Sequence, residues 1–245
     1  MRETWIVLGA SSAMARAFAR QVAARGDGLI LCGRDRTDLG ALAADARLRG
    51  AASAVVMAFD ARDPATFDPI IERARDVEGA ISAAVFVGSM PSQAAIDADP
   101  SLIGGTVIDS HTGPAGFLHR LAPLLEERGT GRVIGVGSVA GDRGRLPNYV
   151  YGSAKAGFHT YLSGLRNRLG RAGVHVMTVK PGVIDTAMTW GLPGIKGAAA
   201  PQDVAHAILR AADRRRNIVY VPGKWLAIMT VIRLIPEFVF KKLSF

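Results

Sequence analysis

The chain has 245 residues, 49% of them apolar and 21% charged, a balance that supports a sizeable core and excludes a disordered or low-complexity protein. Its 30 Lys and Arg against 21 Asp and Glu leave a formal net charge of +9, which favours anionic partners such as phosphates or acidic lipid surfaces. No aromatic-rich basic ribbon or nucleic-acid motif accompanies that charge, so nucleic acid is not an expected partner; the lone Cys32 excludes a disulfide framework and a cysteine metal site, and suits a reducing compartment.

The first residues lead directly into an apolar run at 5–8 with no segment suited to a signal or transit peptide, so a cytoplasmic protein is expected. From there, short apolar runs alternate with helical patterns. Strands are predicted at 5–8, 29–32, 54–59, 81–87, 132–136, 174–179 and 218–221. Helices are predicted at 13–24, 35–48, 64–77, 148–172 and from Pro201, with one long segment leading up to Arg128. This alternation predicts an α/β fold: a single Rossmann-type, doubly wound parallel sheet of seven strands with helices on both faces. No linker or repeat divides the chain, so residues 1–245 read as one domain, with 222–245 an apolar and basic C-terminal segment. In such a sheet a ligand lies across the carboxyl ends of the strands.

Gly9-Ala10-Ser11-Ser12 follows the first strand and opens a helix, where a phosphate meets exposed N–H groups and the positive end of a helix dipole. Gly9, Ser11, Ser12, Ala13 and Met14 are therefore the candidate pyrophosphate cradle, although Ala13 and Ala15 stand where a dinucleotide turn usually has glycine. After the second strand comes Gly33-Arg34. A carboxylate there would bind the ribose hydroxyls of NAD, whereas Arg34 can pair with the additional phosphate of NADP, so NADPH is expected over NADH; Asp35, one step on, weighs against this. Asp60, closing the third strand, is placed to accept from the adenine amino group.

Tyr151 and Lys155 stand four residues apart on the predicted helix, hence on one face. A phenol is a poor proton source at neutral pH, but an adjacent ammonium and a positively charged nicotinamide both favour its phenolate. Tyr151 can then exchange a proton with a carbonyl oxygen, while Lys155 tunes it and holds the ribose. Tyr149 is followed four residues later by Ser153, which offers no charge. Ser138, thirteen residues before Tyr151, ends the fifth strand and is a candidate donor to the substrate oxygen, or else a serine that caps a turn.

These residues resemble the short-chain dehydrogenase/reductase family, which has a glycine-rich first turn, a serine at the end of the fifth strand and a Tyr-x-x-x-Lys helix. The resemblance implies an oxidoreductase acting on CH–OH or C=O, a homodimer or homotetramer, and a cofactor segment at Pro181-Gly182-Val183-Ile184-Asp185-Thr186, with the Thr186 hydroxyl on the nicotinamide amide. Two positions depart from the family pattern. The asparagine after its fourth strand falls here within Phe86-Val87-Gly88, making Gly88 the cofactor-facing candidate, and its helix asparagine aligns with Ser110. Ser110 could still hold a relay water as the fourth catalytic residue. His111 and His119 lack a matching ligand set and read as structural rather than metal-binding.

Residues 137–143, 148–155 and the tail 225–236 are also similar to the decaprenyl-phosphoryl-2-keto-ribose reductases, which implies a keto sugar on a polyprenyl phosphate as substrate. The tail from Trp225 is apolar apart from Thr230 and Arg233, well short of the ~20 residues that span a bilayer. Beyond Pro236 it mixes aromatic and aliphatic groups with Lys241 and Lys242. Two readings carry equal weight: a segment lying on an anionic membrane surface, or one packed on the cleft or a partner subunit. The Gly/Pro-rich stretch 191–197 is long enough to act as a lid. The expectation is a reductase of a lipid-linked ketone at the inner face of a membrane, against a soluble reductase of small ketones or acyl carbonyls, or a non-catalytic NADPH sensor.

Overall fold

A computed structural model of the protein describes residues 3–190 and 197–244; the stretch expected to act as a lid lies, apart from Gly197, outside the described residues. Seven strands form one parallel sheet: β1 (Glu3–Leu8), β2 (Gly28–Gly33), β3 (Ser53–Ala58), β4 (Ala80–Val85), β5 (Arg132–Val136), β6 (His175–Pro181) and β7 (Ile218–Val221). Their order is β3-β2-β1-β4-β5-β6-β7. The chain winds outward from β1 to β3, then returns to the other side of β1 as β4, so the connections diverge at the β1/β4 boundary and leave a crevice at the carboxyl ends.

Strands covered on both faces need no polar alternation, which is why β2 reads Gly-Leu-Ile-Leu-Cys-Gly and is buried throughout. The period of two survives in what each residue faces. Trp5 and Val7 of β1 enter one apolar layer with α1 (Ala13–Ala24), α2 (Arg36–Leu48) and α8 (Pro201–Asp213). Ile6 and Leu8 enter the opposite layer with α3 (Phe67–Arg75), α6 (Gly113–Arg128) and α7 (Tyr149–Gly170). Both layers are anchored by aromatic contacts, Trp5 edge-on to Phe18 at 5.2 Å in the first and Phe59, Phe67 and Phe117 in mutual contact in the second.

The seven strands and the helices around them match the predicted alternation, and the differences lie at ends and turns. The helix expected at 64–77 begins as a 3-10 turn, Pro64–Thr66, because Asp63 caps it and Pro64 opens it, and only then becomes α3. The fourth strand ends at Val85 rather than at residue 87. The long segment before Arg128 resolves into α4 (Gln93–Ala98), α5 (Leu102–Val107), a π-helical turn at Ile108–Thr112 and α6. Gly104-Gly105 and Pro114 interrupt any apolar period there, which hides these elements from a pattern search.

The C-terminal segment forms α9 (Lys224–Leu234) and the short α10 (Glu237–Phe240). Met229 of α9 is fully buried, while Leu234 and Phe238 are 76% and 68% exposed. Arg143, just past the 3-10 turn Val139–Asp142, secures the segment. Its Nη1 donates to the carbonyls of Ile232 and Ile235 at 2.6 Å, its Nη2 pairs with Glu237 at 2.9 Å, and its guanidinium lies 3.7 Å from the Phe240 ring centroid. One side chain thus satisfies the carbonyls left open at the end of α9 and holds α10 against it. No helix among the described residues is long and apolar enough to cross a membrane.

Candidate active site

The turn after β1 meets the β1/β4 crevice. Gly9 has φ +73, and a Cβ there would stand 3.1 Å from the Phe86 carbonyl carbon, so the turn requires glycine both for its backbone and for its neighbour. The N–H groups of Gly9 and Ala10 both donate to the Cys32 carbonyl at 3.0 Å, tying the turn to β2. Ser12 caps α1 by accepting from the Ala15 N–H at 3.2 Å. The N–H groups of Ala13 and Met14, at the first turn of α1, have no carbonyl to reach within the helix and face outward from its positive end. This turn therefore leaves N–H groups open at a helix N-terminus, the kind of donor set a pyrophosphate requires.

A cavity of about 220 Å³ runs from this turn, lined by Gly9, Ser11, Arg34, Asp60, Gly88 and Asp109 among others. Arg34 is exposed at its mouth. Asp35, which weighed against an NADP reading, turns its carboxylate to the Asp38 N–H at 3.0 Å as the N-cap of α2. Asp60 stands two residues past β3, where its Oδ1 accepts from the Arg62 N–H at 2.9 Å. Arg62 in turn forks onto Asp109 through two contacts of 2.8 Å. Burial works to raise the Asp109 carboxyl, but Arg62, with a contribution from Arg34, holds it below the usual range.

Helix α7 delivers Tyr151 and Lys155 to the carboxyl ends of β4 and β5. Lys155 is 3% exposed, and its ammonium donates to the carbonyls of Val87 and Val136, each at 3.1 Å. Burial lowers its pKa to about 8. Its Nζ lies 5.9 Å from the Tyr151 ring centroid. Tyr151 is buried too, and its pKa rises to about 12 because desolvation outweighs the Ser138 hydroxyl hydrogen-bonded to it. The expected acidification of the phenol by Lys155 is thus not met by the protein alone: burial keeps the proton on Tyr151. The phenolate would need the additional positive charge of an oxidised nicotinamide.

Ser138 caps a turn and lies beside Tyr151. Its Oγ accepts from the Ala140 N–H at 3.1 Å, capping the 3-10 turn, and faces the Tyr151 hydroxyl. Ser110 lies in the π-helical turn and is fully buried. Its hydroxyl accepts from the Ser89 N–H at 3.3 Å and donates to the Ser89 carbonyl at 3.2 Å, pinning the loop that carries Val87 and Gly88. Gly88 lies against Lys155, where a Cβ would come within 3.1 Å of Nζ. Ser110 therefore supports the lysine's seat through the loop.

The Pro181–Thr186 segment leaves β6 beside these groups. The Gly182 N–H donates to the Val221 carbonyl at 2.9 Å, the Val183 carbonyl accepts from the Ala199 N–H at 3.1 Å, and Thr186 is half-buried in a turn closed by Thr189. Gly182 is covered by the Trp225 indole from α9, so closely that a Cβ would overlap Nε1 at 1.8 Å. Of the metal-ligating residue types, no cluster of three or more that could hold an ion occurs among the described residues, and His111 packs against Gly157. Sequence reading missed the Val87 and Val136 carbonyls, the Asp109–Arg62 pair and the Trp225 contact, because main-chain acceptors and long-range packing leave no local pattern.

The chain matches the short chain dehydrogenase family over residues 3–193. It is 31% identical over 239 residues to an uncharacterised oxidoreductase of Mycobacterium tuberculosis, covering 97% of this chain and 96% of that one. A ketoacyl reductase of Nostoc is 27% identical over 226 residues, covering 89% of this chain and 78% of its own. Among solved structures, a short-chain dehydrogenase from Sphingobium yanoikuyae in complex with NADPH superposes with a TM-score of 0.81 at 25% identity, covering 94% and 93% of the two chains.

The buried lysine has a measurable linkage. Between about 8 and its ordinary value of 10.5, Lys155 is protonated in the unfolded chain and largely neutral in the folded one. The unfolded state then binds the extra proton, so this residue adds stability as pH rises through that window. Urea unfolding from pH 7.5 upward should show that Lys155→Met lacks this rise; parallel profiles for the two proteins would contradict the assignment.

Proposed function

The chain belongs to the short-chain dehydrogenase/reductase family and is an oxidoreductase, and we propose that it is an NADPH-dependent carbonyl reductase working through Tyr151, Ser138 and Lys155. The observation that carries this reading is the Tyr151 hydroxyl, still protonated, beside the Ser138 hydroxyl and over the buried ammonium of Lys155. NADPH, when bound, supplies the hydride. Tyr151 gives its Oη proton to the substrate oxygen as that oxygen gains negative charge, and an alkoxide is basic enough to take a proton from a phenol of pKa about 12. Ser138 donates a hydrogen bond to the same oxygen and steadies it. Lys155 holds the ribose hydroxyls and, as an ammonium, eases the loss of the tyrosine proton.

The cofactor reading uses Gly9, Ser11, Ser12, Ala13 and Met14 for the pyrophosphate, Asp60 for the adenine, Gly88 beside the ribose, and Pro181, Gly182, Val183 and Thr186 for the nicotinamide. The preference for NADPH over NADH is supported by Arg34 at the cavity mouth and by the engagement of Asp35 in capping α2. Arg34→Ala should weaken NADPH binding about tenfold or more and leave NADH nearly unaffected, the signature of one lost charged contact. Equal weakening of both nucleotides, measured by fluorescence titration, would reject this role.

For the substrate, the reading is a ketone carried on a lipid phosphate, such as the keto sugar of a polyprenyl phosphate. Its support is the tail: Leu226, Val231, Leu234 and Phe238 are exposed on the same segment as Arg233, Lys241 and Lys242, and Trp225 reaches the Gly182 segment. A surface of this kind suits the face of an anionic bilayer. The second reading, a soluble reductase of small ketones or acyl carbonyls, is favoured by the burial of Met229 and the Arg143 clasp, which make the tail part of the folded body.

Tyr151→Phe should lower turnover by about 10² to 10⁴ while keeping NADPH affinity; unchanged turnover would remove Tyr151 from the proton transfer, and NADPH binding with no turnover in either protein would leave only a nucleotide sensor. NADPH oxidation with a lipid-linked keto-pentose and with a panel of simple ketones separates the two substrates. Sedimentation with anionic vesicles of the intact chain and of its Leu234→Asp/Phe238→Asp variant tests the surface, since equal pelleting would count against membrane contact through the tail.

A further inference from the structure

Several polar groups unused by the reaction converge on the turn that carries Ser138. His159 stands four residues beyond Lys155 and eight beyond Tyr151, on the same stripe of α7. The Ser138 N–H donates to its Nε2 at 3.3 Å. Nε2 is thereby the unprotonated nitrogen, and the ring proton sits on Nδ1, 3.8 Å from Asp142 Oδ1. Burial keeps this imidazole neutral, with its pKa down to about 3; the charges of Lys180 and Lys155 add to the lowering and Asp142 opposes it. The space for the ring is made by two glycines. A Cβ on Gly137 would stand 2.1 Å from His159 Nε2, and one on Gly141 2.7 Å from its Cε1.

Asp142 is the hub behind the ring, with a side chain 2% exposed. Lys180 of β6 donates to its Oδ1 at 2.5 Å, and the Tyr220 hydroxyl of β7 donates to its Oδ2 at 2.6 Å. The Tyr220 hydroxyl is itself hydrogen-bonded by the Arg233 side chain of α9. Burying a carboxylate and an ammonium together brings little net stability compared with apolar packing of the same volume. It does fix the relative places of the groups that share them.

We propose that His159 is a positioning residue for Ser138, and that Asp142, Tyr220 and Arg233 extend its hold to the C-terminal segment. The hydrogen bond from the Ser138 N–H sets the backbone from which the Ser138 hydroxyl projects toward Tyr151. Asp142 Oδ1, 3.8 Å from Nδ1, favours by its charge the tautomer able to accept that bond. The adjacent Arg143 clasps α9 and α10 from the outside, so two consecutive residues tie the tail to the serine turn. The proposal rests on the carbonyl-reduction reading given above.

The test compares His159→Leu, His159→Gln and Asp142→Asn in the intact chain. Glutamine retains an acceptor close to the place of Nε2, and leucine has none. His159→Leu should lower kcat about a hundredfold, the cost of an ångström-scale misplacement of a reacting group, with the KM for NADPH unchanged. His159→Gln should recover most of that loss, and Asp142→Asn should lower kcat in the same sense as His159→Leu. Wild-type kcat in His159→Leu, or equal losses of kcat and NADPH affinity with no recovery by glutamine, would overturn the proposal. One readout needs no turnover. The ¹⁵N spectrum of the imidazoles should show His159 as the single Nδ1–H tautomer, neutral below the usual 6.5, and Asp142→Asn should shift the Ser138 amide. A His159 ring that exchanges between tautomers would sink the proposal even if no carbonyl substrate were found, whereas a fixed ring in a protein that turns over no carbonyl would count against the reductase reading alone.

Discussion

The ammonium of Lys155 sits where water does not reach, and the carbonyls of Val87 and Val136 are what make that tolerable. Those two acceptors belong to neighbouring parts of the sheet, one just past β4 and one at the end of β5. The lysine therefore joins the strand beside the β1/β4 crevice to the strand that leads to Ser138. Because Lys155 and Tyr151 are one turn apart on α7, fixing the lysine also fixes the phenol. The loop bearing Val87 is pinned in turn by Ser110, whose hydroxyl meets both the N–H and the carbonyl of Ser89. The place where the chain departs from the family's asparagine is thus filled by a residue that acts on the loop's main chain.

A second level of support lies in the turn from Gly137 to Arg143. Ser138 caps it, Asp142 faces inward to Lys180 and Tyr220, and Arg143 faces outward to α9 and α10. The consequence for the tail is direct. It is exposed and apolar along one side, yet its other side is joined to the edge of the sheet and to the serine turn. Trp225 against Gly182 adds contact with the segment after β6. The segment thus exposes apolar side chains such as Leu234 and Phe238 while being held to the folded body through Arg143 and Trp225.

A match across residues 3–193 and a fold shared with an NADPH-bound dehydrogenase define the oxidoreductase family. They leave the substrate to the cleft, because one fold of this kind serves many carbonyl compounds and the discriminating contacts come from loops and termini.

Much of the molecule was legible in its residues. Alternating apolar runs and helical periods were enough for seven parallel strands and their helices, because strands covered on both faces and helices covered on one impose those patterns locally. The spacing of Tyr151 and Lys155 and the position of Ser138 at a strand end were legible for the same reason: they depend on helix pitch and on where a strand stops. Other features needed the folded chain. The turning of Asp35 into a cap, the engagement of Ser110 by Ser89, the raised pKa of Tyr151 and the convergence of His159, Asp142, Tyr220 and Arg233 all join residues tens of positions apart or depend on burial. The amino-acid order by itself determined which chemical groups this protein carries and at what helical or strand spacing, since those follow from local geometry. Only the tertiary structure decided which of them lose water, which carbonyls they meet and hence which protons they keep, because desolvation and long-range hydrogen bonds arise only once distant segments are packed together.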